Sequence, residues 1–389
     1  MNAEYPTVRL RNAWRSTHPW IFQKLVEKPA TRPKPGSIVD IIGIDGEWAG
    51  RGFYNGHSRI ALRILETDRD MPVDADWFAR KIAAAVSLRR EVLKLDAVSD
   101  AWRVVHSEGD GLSGLVVDRY ADLLVVEFFS AGMFRHREWI YAALREQFPD
   151  CRFHAFADEH VQKQESFDFR GSEPAQPAII TEHGIKFRAD PAGAHKTGFF
   201  ADQRDNREWL SHQCAGKRVL DLCCNTGGFG VYAAVRGAEE VVGIDIDEDV
   251  LAIAKGNAKL NNTHVKFVQA DVFPWLRDAG NRGDRFDVVI LDPAKMTRDR
   301  EQVIPALKKY LDMNKLALGV VKPGGLFATF SCTGLVSEEQ FLDMLRRAAF
   351  YSNRTVQILK VSGAGADHPW LAQVPESRYL KAAFCRVLD

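Results

Sequence analysis

The stretch Val219-Leu220-Asp221-Leu222-Cys223-Cys224-Asn225-Thr226-Gly227-Gly228-Phe229-Gly230 decides the fold. An apolar strand over Arg218–Leu222 runs through a glycine-bearing turn into a helix over Gly228–Val235. Such a turn lets a ligand approach the backbone closely. A dinucleotide fold would place GxGxxG here so that backbone amides hold a pyrophosphate. Instead Asn225 stands at the first glycine's place and Asp221 puts an acid within the strand. An anion beside the turn repels a pyrophosphate and suits a ligand that carries an ammonium group. S-adenosylmethionine, with an amino-acid tail and no phosphate, is such a ligand.

From this turn to the C-terminus, strands and helices alternate. Further strands are expected over Glu240–Asp245, 265–270, Phe286–Leu291 and 325–331, with helices over 249–260 and 300–320. Alternation of this kind specifies a doubly wound α/β domain with a parallel sheet. Right-handed crossovers bring the strand C-termini to one edge, where ligands bind. Asp245 ends the second strand, 18 residues after Gly227, where a carboxylate accepts from ribose hydroxyls. Asp271, followed by Val272, ends the third and can accept from an adenine amine; Asp292 ends the fourth; Ser331-Cys332 ends the fifth. Read singly, each acid is equally the cap of the next helix. Four acids on four successive strand ends make the stronger case for a ligand edge. Cys223 and Cys224 read as small core residues. Cys332 differs, because it ends a strand on that edge before a glycine-bearing loop.

Two segments precede this domain. Residues 1–72 read as a small β-rich domain, with apolar runs over 37–44 and 59–65 between turns such as Arg32-Pro33-Lys34-Pro35-Gly36. Residues 73–185 read as an α+β unit. It opens with a helix that carries Phe78, Ile82, Val86 and Leu93 on one face and is capped by Asp74 or Asp76. Strands follow over 102–106, 114–117, 123–129 and 152–157, with a helix over 135–147 and a linker over 171–177. The third segment is 186–389.

The chain has 389 residues, 46% hydrophobic and 27% charged, which excludes a mostly disordered protein. The 52 basic residues balance 52 acidic ones, which excludes a wholesale cationic coat but not a local patch. Within residues 1–35, Arg9, Arg11, Arg15, Lys24, Lys28, Arg32 and Lys34 face only Glu4 and Glu27, interleaved with Trp14, His18, Trp20 and Phe22. Basic groups attract phosphate and aromatic faces stack on unpaired bases, although a solvated basic face has the same composition. Six cysteines without a CxxC pair suggest neither a disulfide framework nor zinc. With no apolar signal region and no membrane-spanning run, the expected location is the cytoplasm.

The chain resembles the RlmI (YccW)-type family of class I S-adenosylmethionine-dependent 23S ribosomal RNA cytosine-5 methyltransferases. The resemblance rests on His18-Pro19-Trp20-Ile21-Phe22, Asp110-Gly111-Leu112-Ser113-Gly114-Leu115, and the run from His195 to Arg207 that contains Phe199-Phe200-Ala201-Asp202-Gln203-Arg204. Asp292-Pro293-Ala294-Lys295, Ser331-Cys332 and Asp367-His368-Pro369 complete it, in family order and over nearly the whole length. Two motifs depart from the family pattern: Ala294 replaces the second proline of Asp-Pro-Pro-Lys, and Cys223 and Asn225 stand where an aromatic and a tyrosine are usual. The resemblance implies an N-terminal PUA domain that binds RNA, a central α+β domain, and a C-terminal Rossmann-like domain with a mostly parallel, seven-stranded sheet. It implies that Asp221, Asn225, Thr226, Gly227, Gly228, Asp245, Asp271, Val272, Asp292 and Gln203 line the cofactor site. Arg9, Arg11, Arg15, Trp20, Lys196 and Arg204 are then expected to contact RNA, with domain-packing ion pairs the other reading for Lys196 and Arg204. The expected partner is a loop or unpaired cytosine of 23S RNA; the oligomeric state stays open, a homodimer among the alternatives.

The chemistry the resemblance implies has a physical reason. Carbon-5 of cytosine is a poor nucleophile, and a thiolate adding at C6 converts the ring into an enamine whose C5 attacks an electrophilic methyl group. Cys332 is the expected nucleophile, and Asp292 is expected to hydrogen-bond cytosine at N3 or N4. No motif names the base that removes the C5 proton. Rival readings are methylation of a guanine nitrogen or exocyclic amine, which needs no thiol; an NAD-dependent dehydrogenase, disfavoured by Asp221 and the missing GxGxxG; and a non-catalytic RNA-binding protein.

Overall fold

In the computed structural model, which describes residues 5–173, 175–191, 198–297 and 299–389, the alternation after residue 200 takes the expected form. The N-terminal sheet comprises β1 (Thr7–Arg9), β2 (Trp20–Phe22), β3 (Ser37–Ile42), β4 (Trp48–Tyr54) and β5 (Ile60–Glu66), in the order β1-β3-β4-β5-β2. Val8, Ile21, Val39, Ile41 and Leu62 fill its core. Helix α1 (Ala75–Ser87) follows, with Asp74 rather than Asp76 as cap, its carboxylate accepting from Trp77 N. The periodicity carries on to Leu93 through a π-turn over Leu88–Val92, and Leu93 packs on the central core.

The central sheet is β6 (Ala101–His106), β7 (Leu115–Tyr120), β8 (Leu123–Phe128) and β9 (Arg152–Phe156), joined in that order. Helices α2 (Ala131–Arg135), α3 (Arg137–Gln147) and α4 (Glu159–Glu165) accompany it. The hairpin of β10 (Ala178–Glu182) and β11 (Ile185–Ala189) then turns at His183-Gly184, both with positive φ (49° and 80°), as a two-residue turn requires.

The last sheet contains β12 (Arg218–Leu222), β13 (Glu240–Asp245), β14 (Lys266–Gln269), β15 (Phe286–Leu291), β16 (Val321–Ser331), β17 (Val356–Ser362) and β18 (Lys381–Val387). Its helices are α5 (Arg204–Ser211), α6 (Gly228–Val235), α7 (Glu248–Leu260), α8 (Val272–Arg282), α9 (Val303–Gly319) and α10 (Glu338–Tyr351). The order is β14-β13-β12-β15-β16-β18-β17, parallel from β14 to β16, with β18 and β17 antiparallel. Strands buried on both faces read as unbroken apolar runs, and Leu220, Leu222, Val242, Ile244, Val289, Leu291 and Phe327 make this core. The chain leaves β12 toward β13 and later returns to β15 on β12's other side. The crevice beyond the carboxyl ends of β12 and β15 is therefore the switch point, where doubly wound sheets bind ligands.

The chain forms two compact units. The first holds Met1–Ile180, Ala189–Gly198 and Ala366–Ser377; the second holds Thr181–Arg188, Phe199–Gly365 and Arg378–Asp389. Ala366–Ser377, expected with the C-terminal segment, thus packs in the first unit, because Asp367 is buried there: its carboxylate accepts from Arg103 N (2.9 Å) and its carbonyl from Arg89 Nη2 (2.6 Å). Among the described residues no helix is long and apolar enough to cross a membrane.

Candidate active site

The turn after β12 is built from alternating left-handed residues: Cys223 (φ 60°), Asn225 (φ 50°) and Gly227 (φ 80°). Gly227 also needs to lack a side chain, since a Cβ there would lie 3.0 Å from the Phe267 ring. Asp221 is buried, with Oδ2 accepting from Gly230 N at 2.8 Å. Its Oδ1 has no hydrogen-bond partner among the described residues. Burial, with the Asp292 and Asp245 charges, pushes this carboxyl up to about 8, against the pull of the Gly230 amide. Asp245 accepts from Asn225 N (2.8 Å) and from Asp247 N (3.1 Å), and Asp247, not Asp245, caps α7. Asp271 does cap α8, accepting from Phe273 N, and Val272 is the buried first residue of that helix.

The turn is clamped from behind by Asn257 on α7, which no motif signalled. Fully buried, it donates to Thr226 O (2.9 Å) and accepts from Arg188 N (2.8 Å). Arg207 lies against Gly228 and forms a two-pronged ion pair with Glu182, both buried, while Tyr232 donates to the same carboxylate.

Asp292 extends β15, its N–H reaching Leu222 O at 3.3 Å. Gln203 donates to its Oδ2 at 3.0 Å and is itself held by Asn206, so the expected cofactor residue Gln203 is committed to orienting Asp292. Burial, then the Asp202 charge, raises the Asp292 carboxyl to about 7. Cys332 Sγ lies 3.8 Å from Pro293 O, in the turn that follows Asp292. Burial first, then Asp292 and Asp202, pushes its thiol up to about 12. Its loop is fixed at Thr333, whose hydroxyl meets Tyr310 Oη (2.9 Å) and Met296 N (3.1 Å). The Thr333 carbonyl accepts from Lys381 Nζ (2.6 Å), which also donates to Tyr379 O (2.8 Å). Lys381 is only 1% exposed, and burial lowers its ammonium to about 8 while the Cys332 thiolate opposes that fall. Tyr379 Oη donates to Asp202 Oδ2 at 2.5 Å. Sequence reasoning missed Lys381, Tyr379 and Asp202 as members of this cluster.

The expected RNA contacts are more scattered. Arg9, Arg11 and Arg15 are exposed on the N-terminal sheet and its following loop; Arg11 donates to Val26 O and Arg15 pairs with Asp45. Trp20 is half-buried and donates through its indole to Glu108 Oε1. Arg204 departs from expectation: at 1% exposure, with Nε on Asp205, its guanidinium faces the protein rather than solvent, as the ion-pair alternative has it. Lys196 lies outside the described residues.

A parallel switch-point crevice with a glycine turn, strand-end acids and a thiol defines a class I methyltransferase domain. Residues 150–350 match the family of S-adenosylmethionine-dependent methyltransferases, and residues 9–67 match the PUA-like domain. The chain is 40% identical over 378 residues to ribosomal RNA large subunit methyltransferase I of Aeromonas hydrophila, covering 95% of each. It is 36% identical over 384 residues to the protein of the same name from Vibrio cholerae, covering 96% of each. Among solved structures, SMU.776 in complex with SAH superposes with a TM-score of 0.83 at 20% identity, covering 99% of this chain and all of that one, a likeness of fold. The chain belongs to the S-adenosylmethionine-dependent methyltransferases, in the family whose curated members are named ribosomal RNA large subunit methyltransferase I. It is an enzyme with S-adenosylmethionine as its cofactor.

The residues fit that cofactor. The orphaned Oδ1 of buried Asp221 offers an acceptor to an ammonium group, and Asp245 holds the same turn through Asn225 N.

Proposed function

We propose that the protein methylates C5 of a cytidine in large-subunit (23S) ribosomal RNA through a covalent adduct of Cys332. The observation that carries this reading is the Cys332 thiol beside the Asp292-Pro293 turn, at the end of the strand next to β15. The names of the relatives support large-subunit ribosomal RNA as the substrate. Asp221, Asn225, Thr226, Gly227, Gly228, Asp245, Asp271 and Val272 hold the cofactor in this proposal. Bound there, S-adenosylmethionine supplies an electrophilic methyl group on a sulfonium sulfur.

The chain's own groups do the rest. Cys332 Sγ adds to C6, and the C5–C6 π pair moves toward C5, which becomes nucleophilic. Below about pH 7 Asp292 carries a proton, which it donates to N3 and so draws electron density from the ring that the thiolate attacks. Once C5 carries the methyl group, its proton leaves, the C5–H pair closes C5=C6, and the C6–S pair returns to sulfur. The three segments 1–72, 73–185 and 186–389 divide the labour as PUA-type RNA holder, central domain and catalytic domain. Arg9, Arg11, Arg15 and Trp20 are the RNA contacts, with an unpaired cytosine the cheaper target because none of the few kcal/mol of base flipping is needed.

The test uses labelled S-adenosylmethionine and protein-free large-subunit RNA that lacks the modification, digested to nucleosides. Label in 5-methylcytidine, abolished by Cys332→Ala with cofactor affinity unchanged, is the expected result. Label in a methylated guanosine or amine, or a Cys332→Ala variant that keeps most of its rate, overturns it.

A further inference from the structure

We propose that Asp202 is the base that takes the C5 proton of the methylated cytosine; this rests on the cytosine-C5 reading above. Asp202 belongs to the short helical turn Ala201–Gln203 that runs into α5, so the backbone that places Gln203 on Asp292 places Asp202 beside it. Its main chain is pinned, the carbonyl accepting from Gly365 N at 2.9 Å. One carboxylate oxygen, Oδ2, takes the Tyr379 hydroxyl at 2.5 Å. The other, Oδ1, is buried and has no hydrogen-bond partner among the described residues. A buried carboxylate oxygen left without a donor is destabilising. That cost makes sense where the oxygen meets a proton during the reaction.

The neighbours are already committed. Tyr379 spends its proton on Asp202, and the peptide oxygen of the same residue takes a Lys381 proton. Lys381 donates to two carbonyls and is a cation below about pH 8, so it has no lone pair to offer there. Asp292 is bound by Gln203 and serves the N3 edge of the base. Asp202 nevertheless stands within electrostatic reach of both reacting regions, since its charge raises the Asp292 carboxyl and the Cys332 thiol. Two carboxylates with different partners, one poised to hold a proton and one to take one, divide acid and base roles. In the step proposed, the C5–H bond breaks with its proton passing to Asp202 Oδ1. The electron pair forms C5=C6, and the C6–S bond breaks with its pair on Cys332 Sγ.

Loss of this base stalls the reaction after methyl transfer, which Asp202→Asn tests in the full-length enzyme with labelled S-adenosylmethionine and large-subunit RNA. The expected result is a denaturation-resistant protein–RNA adduct that carries one methyl label per enzyme, with release slowed about 10²–10⁴-fold. Asp202→Glu restores part of the release rate. Tyr379→Phe, which leaves the carboxylate in place but frees Oδ2, provides a second readout if Asp202→Asn does not fold: slower release with a visible adduct. Free turnover by Asp202→Asn without an adduct overturns the assignment of Asp202 and leaves the cysteine mechanism standing. So does a folded, cofactor-binding Asp202→Asn that makes neither adduct nor product, because the residue then acts before addition. If Cys332→Ala still methylates RNA, the cysteine mechanism itself fails, a separate outcome read in a separate variant.

Discussion

Cys332 meets opposing demands. As a nucleophile it must reach the thiolate form, yet burial and the Asp292 and Asp202 carboxylates hold its thiol up at about 12, well above the ~8.5 of a free cysteine. Asp292, with its carboxyl near 7, is ionised at about pH 8.5, so its negative charge then opposes the thiolate. Asp292→Asn removes that charge, and alkylation of Cys332 by iodoacetamide at about pH 8.5 is expected to quicken several-fold, each pKa unit being worth tenfold in thiolate population. Peptide mapping by mass spectrometry separates Cys332 from the five other free cysteines; an unchanged or slower rate contradicts the electrostatic account. The same logic gives Lys381 a place. Below about pH 8 its buried ammonium holds Thr333 and offsets the carboxylates, so Lys381→Met is expected to slow Cys332 alkylation at about pH 7 and to lower the melting temperature. Little of this was legible beforehand. A lysine is almost always a surface residue, so nothing in Tyr379-Leu380-Lys381 announces a buried ammonium. Asp202 sat inside a run read for its basic residues, and only the fold turns that run so that Arg204 packs inward and Asp202 and Gln203 face Asp292. The acids of β12, β13 and β15 were readable because parallel crossovers bring the carboxyl ends of those strands to one edge.

At the scale of elements, the parallel strands of the last sheet announced themselves and its two antiparallel ones did not. β12, β13 and β15 span the expected residues because apolar runs bounded by Gly, Asp and Pro leave little choice. β17 and β18 carried no such signal: Val356–Ser362 is half-exposed at the sheet edge, and Lys381–Val387 opens on a lysine and is rich in alanine. β1, β2 and β4 were missed for a related reason. Two of them have three residues, and β4 holds two glycines. What fixes the cofactor turn is also an inter-element contact, not a turn motif. Asn257 reaches from α7 both to Thr226 O and to Arg188 N on β11, so one amide ties helix, turn and hairpin. Asn257→Ala leaves the buried Thr226 carbonyl without its donor, at roughly 1–3 kcal/mol. A clear fall in melting temperature is expected, together with weaker S-adenosylmethionine binding by calorimetry. Loss of stability with unchanged cofactor affinity would show that the turn holds its left-handed residues without the clamp.

For the whole molecule, the path of the chain through its two units has a mechanical consequence. Residues Ala366–Ser377 belong to the first unit although Thr181–Arg188 and Phe199–Gly365 of the second precede them in sequence. Within the first unit, Arg89, wholly buried, pairs with Asp110 through both terminal nitrogens and donates to the Asp367 carbonyl. Arg103 pairs with Asp118 and gives its backbone N–H to the Asp367 carboxylate, and the His368 ring packs on His106, whose imidazole is held far below its ordinary range by burial and by Arg103. The segment carrying Asp367-His368-Pro369 therefore completes a buried charge network, a role its motif did not disclose. A fragment ending at residue 180 keeps both ion pairs but loses the Asp367 carbonyl and carboxylate, and each buried donor left without its acceptor costs roughly 1–3 kcal/mol. Together these are a sizeable part of the roughly 5–15 kcal/mol available to a whole domain. The fragment is expected to unfold at markedly lower urea than the same unit in the intact chain, and Asp367→Ala in the full-length protein is expected to reproduce the share carried by the carboxylate, since it leaves the carbonyl on Arg89 in place. The His106 imidazole, kept neutral in the folded state, adds a pH dependence with a fixed sign. Its depressed pKa means the unfolded chain binds the extra proton, so stability falls as pH drops through the ordinary histidine range. His106→Gln should flatten that slope between about pH 7 and 5. A fragment as stable as the intact unit, with Asp367→Ala without effect, would show that the first unit closes its core without the returning segment.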